Sequence, residues 1–318
     1  MAHRIPTPIT VALLFLLIHC FAYGQEEKTF DFGNISFSLL PKAMEDGSIT
    51  DIVMGIMYND QFSGDFRYSY TTISKNEKFP DLSDSLNARN EKIHSLYILP
   101  FGYRHRSYDF SFWAGGGVYY EYNSLSEKGF YDDPDLLNYG FERVNSYTND
   151  FSMHVAGPLL DLKCGYTSEF FSINILGGIV PVFFLGASEK FGIIPFLGTA
   201  KAEHSQTTWG SPYLYMGFDA IIYKYVSLGF HYNFSRIKYE FIDYSFDENL
   251  KISWEYPETT VTGHSFRIEA SALIPLGEAM SFQLGYGYNF NNLIIDTRHI
   301  NENQHYLIFG AKKMAVKK

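Results

Sequence analysis

Large apolar side chains fall on every second residue of the stretch 226–235, so that Val226, Leu228, Phe230, Tyr232 and Phe234 share one face. Ser227, Gly229, His231, Asn233 and Ser235 occupy the other. The two-residue period of a β-strand separates the sets in this way, whereas a helix would mix them. Residues 281–291 repeat the arrangement, with Phe282, Leu284, Tyr286, Tyr288 and Phe290 set against Ser281, Gln283, Gly285, Gly287, Asn289 and Asn291. Strands of about ten residues with one apolar, aromatic-rich face and one small or polar face suit a closed sheet that meets lipid outside and water inside. The pattern predicts an all-β fold, a single-chain antiparallel transmembrane β-barrel.

Twelve alternating runs can be followed along the chain, near 30 to 40, 50 to 58, 65 to 75, 93 to 104, 108 to 123, 151 to 167, 170 to 186, 208 to 221, 226 to 246, 259 to 274, 280 to 296 and 304 to 314. Twelve is even, as in bacterial single-chain barrels. Alternation is short in the first two runs, which leaves ten or fourteen strands open. The connectors alternate in length, as short periplasmic turns and long extracellular loops do. Short links are expected at 59–64, 105–107, 167–169, 223–225 and 276–279, and long ones at 42–49, 73–92, 124–150, 187–209, 246–258 and 298–304. The long connectors hold turn-forming runs such as Phe79, Pro80 and Asp81. Both termini are then expected in the periplasm.

The amino terminus adds a destination. Arg4 precedes an apolar run over residues 9–21, followed by Ala22, Tyr23 and Gly24, which suits a cleaved signal peptide of residues 1–24. The run is shorter than the ~20 residues that span a bilayer as a helix. Leu17, Ile18 and His19 lack the small residues that precede a lipid-modified cysteine, so Cys20 is not read as a lipoprotein site. The remainder, 25–318, is expected to be one barrel domain. It keeps a single cysteine, Cys164, so no intramolecular disulfide can form.

Composition agrees with this picture. Hydrophobic residues make up 46% of the chain, yet mean hydropathy is only -0.12, as expected where outward apolar residues alternate with polar ones. The 25 Tyr and 29 Phe against 3 Trp supply material for interfacial girdles. Arg4 leaves with the leader, so 24 basic residues face 35 acidic ones, which argues against a nucleic acid partner.

On these features the chain resembles bacterial outer-membrane β-barrel proteins of the porin-like type, without a family-specific motif. The final run carries Tyr306, Ile308 and Phe309 but continues through Gly310, Ala311, Lys312, Lys313 and Met314, a departure from the terminal aromatic that such proteins usually present to the insertion machinery. The resemblance implies an integral outer-membrane location and, as partners, outer-membrane lipid, the barrel-insertion machinery and small solutes.

Twelve strands tilted about 40° give a backbone diameter on the order of 24 Å. Alternation places Arg67, Asp109, Trp113, Asp161, Lys163, Asp219, His231, Arg267, Glu269 and Gln283 inside, among Gly115, Gly117, Gly217, Gly229, Gly285 and Gly287. This lining can leave a narrow wet passage or close into an ion-paired plug, and the glycines favour the passage. Arg267 and Glu269, two apart on one strand and near His231 and Asp219, are candidates for a charge-selective constriction, with Arg67 and Gln283 as further lumen candidates. Mutual neutralisation is the alternative reading of the pair.

No catalytic, cofactor or metal site is expected. His154 near Ser152 and His264 beside Ser265 lack an orienting third group. Asp132, Asp133, Asp135 and Glu142 lack the spacing of a calcium loop and read as solvated acid. Cys164 falls on the outward face with Leu160, Leu162 and Tyr166. The expected function is a passive or weakly selective channel for small solutes, with a structural or adhesive surface barrel as the alternative and a membrane-embedded hydrolase third.

Overall fold

The computed structural model describes residues 35–78, 86–131, 145–194, 200–210, 212–246, 251–276, 280–295 and 298–313. The expected signal peptide lies outside the described residues, as do Phe79, Pro80 and Asp81 and the acidic group Asp132, Asp133, Asp135 and Glu142.

Sixteen strands form among the described residues. They are β1 (Ile35–Met44), β2 (Gly47–Met57), β3 (Phe62–Lys78), β4 (Leu86–Ser107), β5 (Phe110–Tyr131), β6 (Asn145–Thr167), β7 (Phe171–Val180), β8 (Phe183–Ile194), β9 (Ala200–Gly210), β10 (Tyr213–Ile222), β11 (Val226–Glu240), β12 (Asp243–Phe246), β13 (Ile252–Glu255), β14 (Glu258–Pro275), β15 (Met280–Ile295) and β16 (Arg298–Lys313). β12 and β13 form a separate hairpin. The other fourteen make one antiparallel sheet.

That sheet has twelve staves. β7 pairs with the lower part of β6 and β8 with its upper part, so the two are halves of one stave interrupted at Pro181. β9 and β10 divide the next stave in the same way at Pro212, β9 pairing with β8 and β10 with β7. Proline lacks the N–H that a ladder needs, which is why both breaks fall there. β1 pairs with β16 and β5 with β6, so the sheet closes on itself. Following paired residues from Phe151 through β5 and round to Asn174 returns to β6 at Gly165, a shear of 14 residues. With twelve staves this corresponds to a tilt of about 40° and a backbone diameter of about 23 Å.

Short turns lie at one end. Tyr223 and Lys224 take left-handed φ of 49° and 63°, and Tyr225 N bonds Ile222 O at 3.0 Å, the type I′ turn that suits the twist of a hairpin. Asn59 Oδ1 accepts from the backbone of Gln61 and Phe62 at the β2–β3 turn. Asp109 sits exposed in the β4–β5 turn, not in the lumen as alternation suggested, because Tyr108 at φ 48° reverses the chain before the inward position is reached.

The opposite end departs from the expected connectors. The 42–49 link is a turn of two residues, Glu45 and Asp46, with Met44 paired to Gly47. Much of 73–92, 124–150 and 298–304 is strand, and 187–209 is mostly strand in β8 and β9. The 246–258 link contains β13, whose partner β12 lies in what looked like one run over 226–246. The cause is physical: beyond the lipid the ladder continues but its outer face meets water, so the apolar period ends before the strand does. At this end β9 and the top of β11 meet with no ladder between them among the described residues. The Gln206 amide bridges them, accepting from Glu240 N at 3.2 Å and donating to Glu240 O at 3.4 Å.

Outward positions carry the apolar band, with Ile98, Val118, Leu160, Leu162, Ile175, Met216, Ile268, Leu284 and Leu307 all exposed. Among the described residues no helix is long and apolar enough to cross a membrane.

Candidate functional site

The lumen is crossed at mid-height by a layer of ions. Glu269 stands six residues above the lower end of β14 and Asp161 six above that of β6. At about 2.5 Å of rise per tilted residue, that puts the layer roughly 15 Å above the lower rim, near the centre of a bilayer.

Two groups make up the layer. In the first, Lys42 Nζ on β1 lies 2.6 Å from Asp51 Oδ2 on β2 and 2.6 Å from Glu269 Oε1 on β14. Arg267 reaches Glu269 at 3.4 Å and Asp51 at 3.9 Å. Tyr306 Oη donates to Glu269 at 2.8 Å and Ser69 Oγ to Asp51 at 2.7 Å. In the second, Arg67 on β3 pairs with Asp65 at 2.9 Å and with Asp161 on β6. Lys163 pairs with Asp65 and lies over the Trp113 ring at 4.8 Å. Tyr215 Oη on β10 donates to Asp161 at 2.7 Å. Each group holds two cations and two carboxylates, so its formal charge is zero.

Tyrosines pack against one another in the lumen above the second group. Tyr97 on β4 and Tyr213 on β10 meet hydroxyl to hydroxyl at 3.2 Å, and Tyr119 stacks on Tyr213 with centroids 5.1 Å apart. Glu121 accepts from Tyr119 Oη at 2.5 Å and Ser95 Oγ at 3.1 Å. Beside them Leu99, Leu159, Val180, Phe183 and Leu185 are fully buried, so the wall formed by β4, β6 and β8 is backed by an apolar core. The β10, β11 and β14 side differs. There Asp219 is 39% exposed, Arg267 29% and His231 19%, with His231 Nε2 3.4 Å from Asp219 Oδ1.

Several inward glycines lie under aromatic rings, which corrects their reading as open space. A Cβ on Gly287 would fall inside the Tyr306 ring, and one on Gly115 inside that of Trp113. Gly178 is overlaid by Tyr215 in the same way. Each glycine lets an aromatic ring lie flat on the wall: Tyr306 and Tyr215 then aim their hydroxyls at Glu269 and Asp161 of the layer, while Trp113 Nε1 donates to Ser63 Oγ at 2.8 Å outside it.

The six lumen candidates are therefore distributed. Arg267 and Glu269 belong to the first group, Arg67 to the second, and His231 and Asp219 form the half-exposed pair beside Arg267. Gln283 is apart, three residues from the lower end of β15, buried and donating to Ser271 Oγ at 2.6 Å. Sequence reasoning missed Lys42, Asp51 and Asp65. Lys42 falls in the expected 42–49 connector, although it shares parity with Ser36, Ser38 and Leu40.

His154 and His264 lie on the outer face, where their Nδ1 atoms meet Tyr120 and Tyr232 hydroxyls, each at 2.9 Å. Cys164 is exposed. Among the described residues no cluster of three His, Cys, Asp or Glu could hold a metal ion.

No protein-family model matches the chain, and no curated protein matches it. Solved structures do. The chain is similar to the translocator domain of the autotransporter NalP from Neisseria meningitidis, at 11% identity over 96% of each chain with a TM-score of 0.44. It is also similar to the Pseudomonas putida toluene transporter TodX, at 9% identity over 89% of each chain with a TM-score of 0.46. A third similarity is to the CymD monoaromatic hydrocarbon channel, at 8% identity over 89% of this chain and 88% of that one, with a TM-score of 0.41. By its closed sheet, apolar outer band and polar lumen, the chain is an outer-membrane type of β-barrel.

Proposed function

We propose that the protein is an outer-membrane channel for small polar solutes, exported by a cleaved leader, in which the ion layer is the constriction. The observation that carries this reading is the choice of ions at mid-membrane. Buried charges are costly, and well-packed apolar side chains of similar volume would seal a barrel at least as well, as they do along β4, β6 and β8. Charges kept at bilayer depth mark a solute path by default. The partial exposure of Asp219, Arg267 and His231 supports a path beside β10, β11 and β14.

A second reading has its own support. Lys42 is 2% exposed and the Asp161 side chain fully buried, as expected of a locked surface barrel without a pore. No catalytic role is proposed, because His154 and His264 face outward. Swelling of protein-bearing liposomes in small sugars separates the readings. Swelling that falls with solute size supports the channel, and liposomes as tight as protein-free ones support the locked barrel.

A further inference from the structure

Four imidazoles on the outer face repeat one arrangement. His94, His154, His264 and His305 lie directly opposite Tyr70, Tyr122, Phe234 and Tyr288 in their ladders. The ring centroids are 4.5, 4.7, 5.3 and 4.9 Å apart. On each of those neighbouring strands, two residues nearer the short turns, stands a tyrosine: Tyr68, Tyr120, Tyr232 or Tyr286. Its hydroxyl meets the imidazole Nδ1, at 2.8, 2.9 and 2.9 Å in the first three pairs and in a short contact in the fourth. This is the diagonal neighbour relation of an antiparallel ladder, met four times with the same sense.

The imidazoles sit where the outer face changes character. Toward the short turns each strand continues outward as Leu96 and Ile98, Ala156 and Pro158, Phe266 and Ile268, or Leu307 and Phe309. In the other direction it continues as Lys92 and Asn90, Ser152 and Asp150, Thr262 and Thr260, or Asn303 and Asn301. That step is the edge of the lipid. An ordinary aromatic belt turns its hydroxyls to the head groups. Here the four hydroxyls meet Nδ1, and with the hydroxyl as donor a neutral ring carries its proton on Nε2. The donor offered at the head-group level is thus an imidazole N–H, on a ring oriented by two neighbours. Two of the four sites have an exposed cation close by: Lys92 lies two residues above His94 on β4, and Arg236 two above Phe234 on β11.

We propose that the four tyrosine-held histidines form a ring that binds the phosphate groups of outer-leaflet lipids, each Nε2–H donating to a phosphate oxygen. Phosphate fits on two counts. It is an acceptor without donors at that depth, and its negative charge complements Lys92 and Arg236.

The test is solid-state NMR of protein carrying 15N-labelled histidine, folded into phosphatidylethanolamine and phosphatidylglycerol bilayers, with dephasing of the ring nitrogens by lipid 31P as readout. Wild-type protein should show a rapidly dephasing Nε2 population that is lost in the variant H94F/H154F/H264F/H305F. Slow residual dephasing in that variant belongs to other imidazoles, such as His105 near the opposite rim. The set Y68F/Y120F/Y232F/Y286F, which frees the tautomer, should show partial loss. Equal dephasing in wild type and the fourfold histidine variant overturns the proposal. If the fourfold variant does not reach the heat-modifiable folded form, H154F and H305F singly, at exposed positions, carry the same comparison, and wild-type dephasing in both overturns it.

Discussion

Lys42 Nζ stands 2.6 Å from both Asp51 Oδ2 and Glu269 Oε1, so one buried ammonium joins the first two strands of the barrel to β14. It also sits 5.5 Å from the centre of the Tyr306 ring. Closure of the sheet and composition of the lumen meet at this residue.

Lys42→Met should therefore leave Asp51 and Glu269 with Arg267 as their only cation. Removing one member of a buried ion group costs about 3 to 5 kcal/mol. The urea midpoint of folded protein should fall accordingly, and adding Asp51→Asn should restore part of it. An unchanged midpoint would mean that Lys42 is hydrated and the layer is not a closed group.

Gly287→Ala should be destabilising because the new methyl would occupy the space of the Tyr306 ring. Overpacking of this kind costs roughly 1 to 3 kcal/mol. Tyr306→Ala in the same chain should relieve the clash while losing the hydroxyl bond to Glu269, so the double variant should lie above the additive sum. Additive losses would contradict the contact.

The register can be checked by single-cysteine labelling of a Cys164→Ser background. Positions 228 and 284 should react only with lipid-soluble reagent, and positions 231 and 283 only with water-soluble reagent, because neighbouring residues point to opposite faces. Position 283 should react slowly, since Gln283 is 4% exposed. Equal access at 230 and 231 would break the assignment of faces on which the lumen description rests.

Much of the barrel was legible in the chain because lipid enforces alternation. Val226 through Phe234 and Phe282 through Phe290 could hardly be read otherwise, and twelve staves follow from counting such runs. What alternation could not reveal lies where lipid ends. β8 and β9 continue over 187–194 and 200–209 with water on their outer face, so Lys190 and Glu203, paired at 3.0 Å, look like loop residues. The lumen was half legible. Parity placed Arg67, Arg267 and Glu269 inside, but whether glycines leave space depends on neighbours such as Tyr306 and Trp113, which the pattern does not record. The outer histidines escaped notice as a set because each pairs across strands.

Gln206→Ala should loosen the join between β9 and β11. The amide supplies both hydrogen bonds to Glu240 that a strand would, and a bond of this kind contributes about 0.5 to 1.5 kcal/mol. Amide exchange at Glu240 should quicken by roughly tenfold, while exchange at Gly229, deep in the β11–β14 ladder, stays unchanged. No change at Glu240 would show that the join is held by other contacts.

The central claim, that the ion layer is the constriction of a solute path, is tested most directly by the reversal potential of single channels in a salt gradient. Glu269→Gln leaves Lys42 and Arg267 with Asp51 alone, and Arg267→Gln leaves Lys42 with two carboxylates. Rings of charge set ion preference at a narrow point. The account predicts small wild-type conductance steps, with reversal shifted toward anions in Glu269→Gln and toward cations in Arg267→Gln. Silent membranes with all three proteins, each shown to be inserted and folded, would contradict it and leave the locked surface barrel.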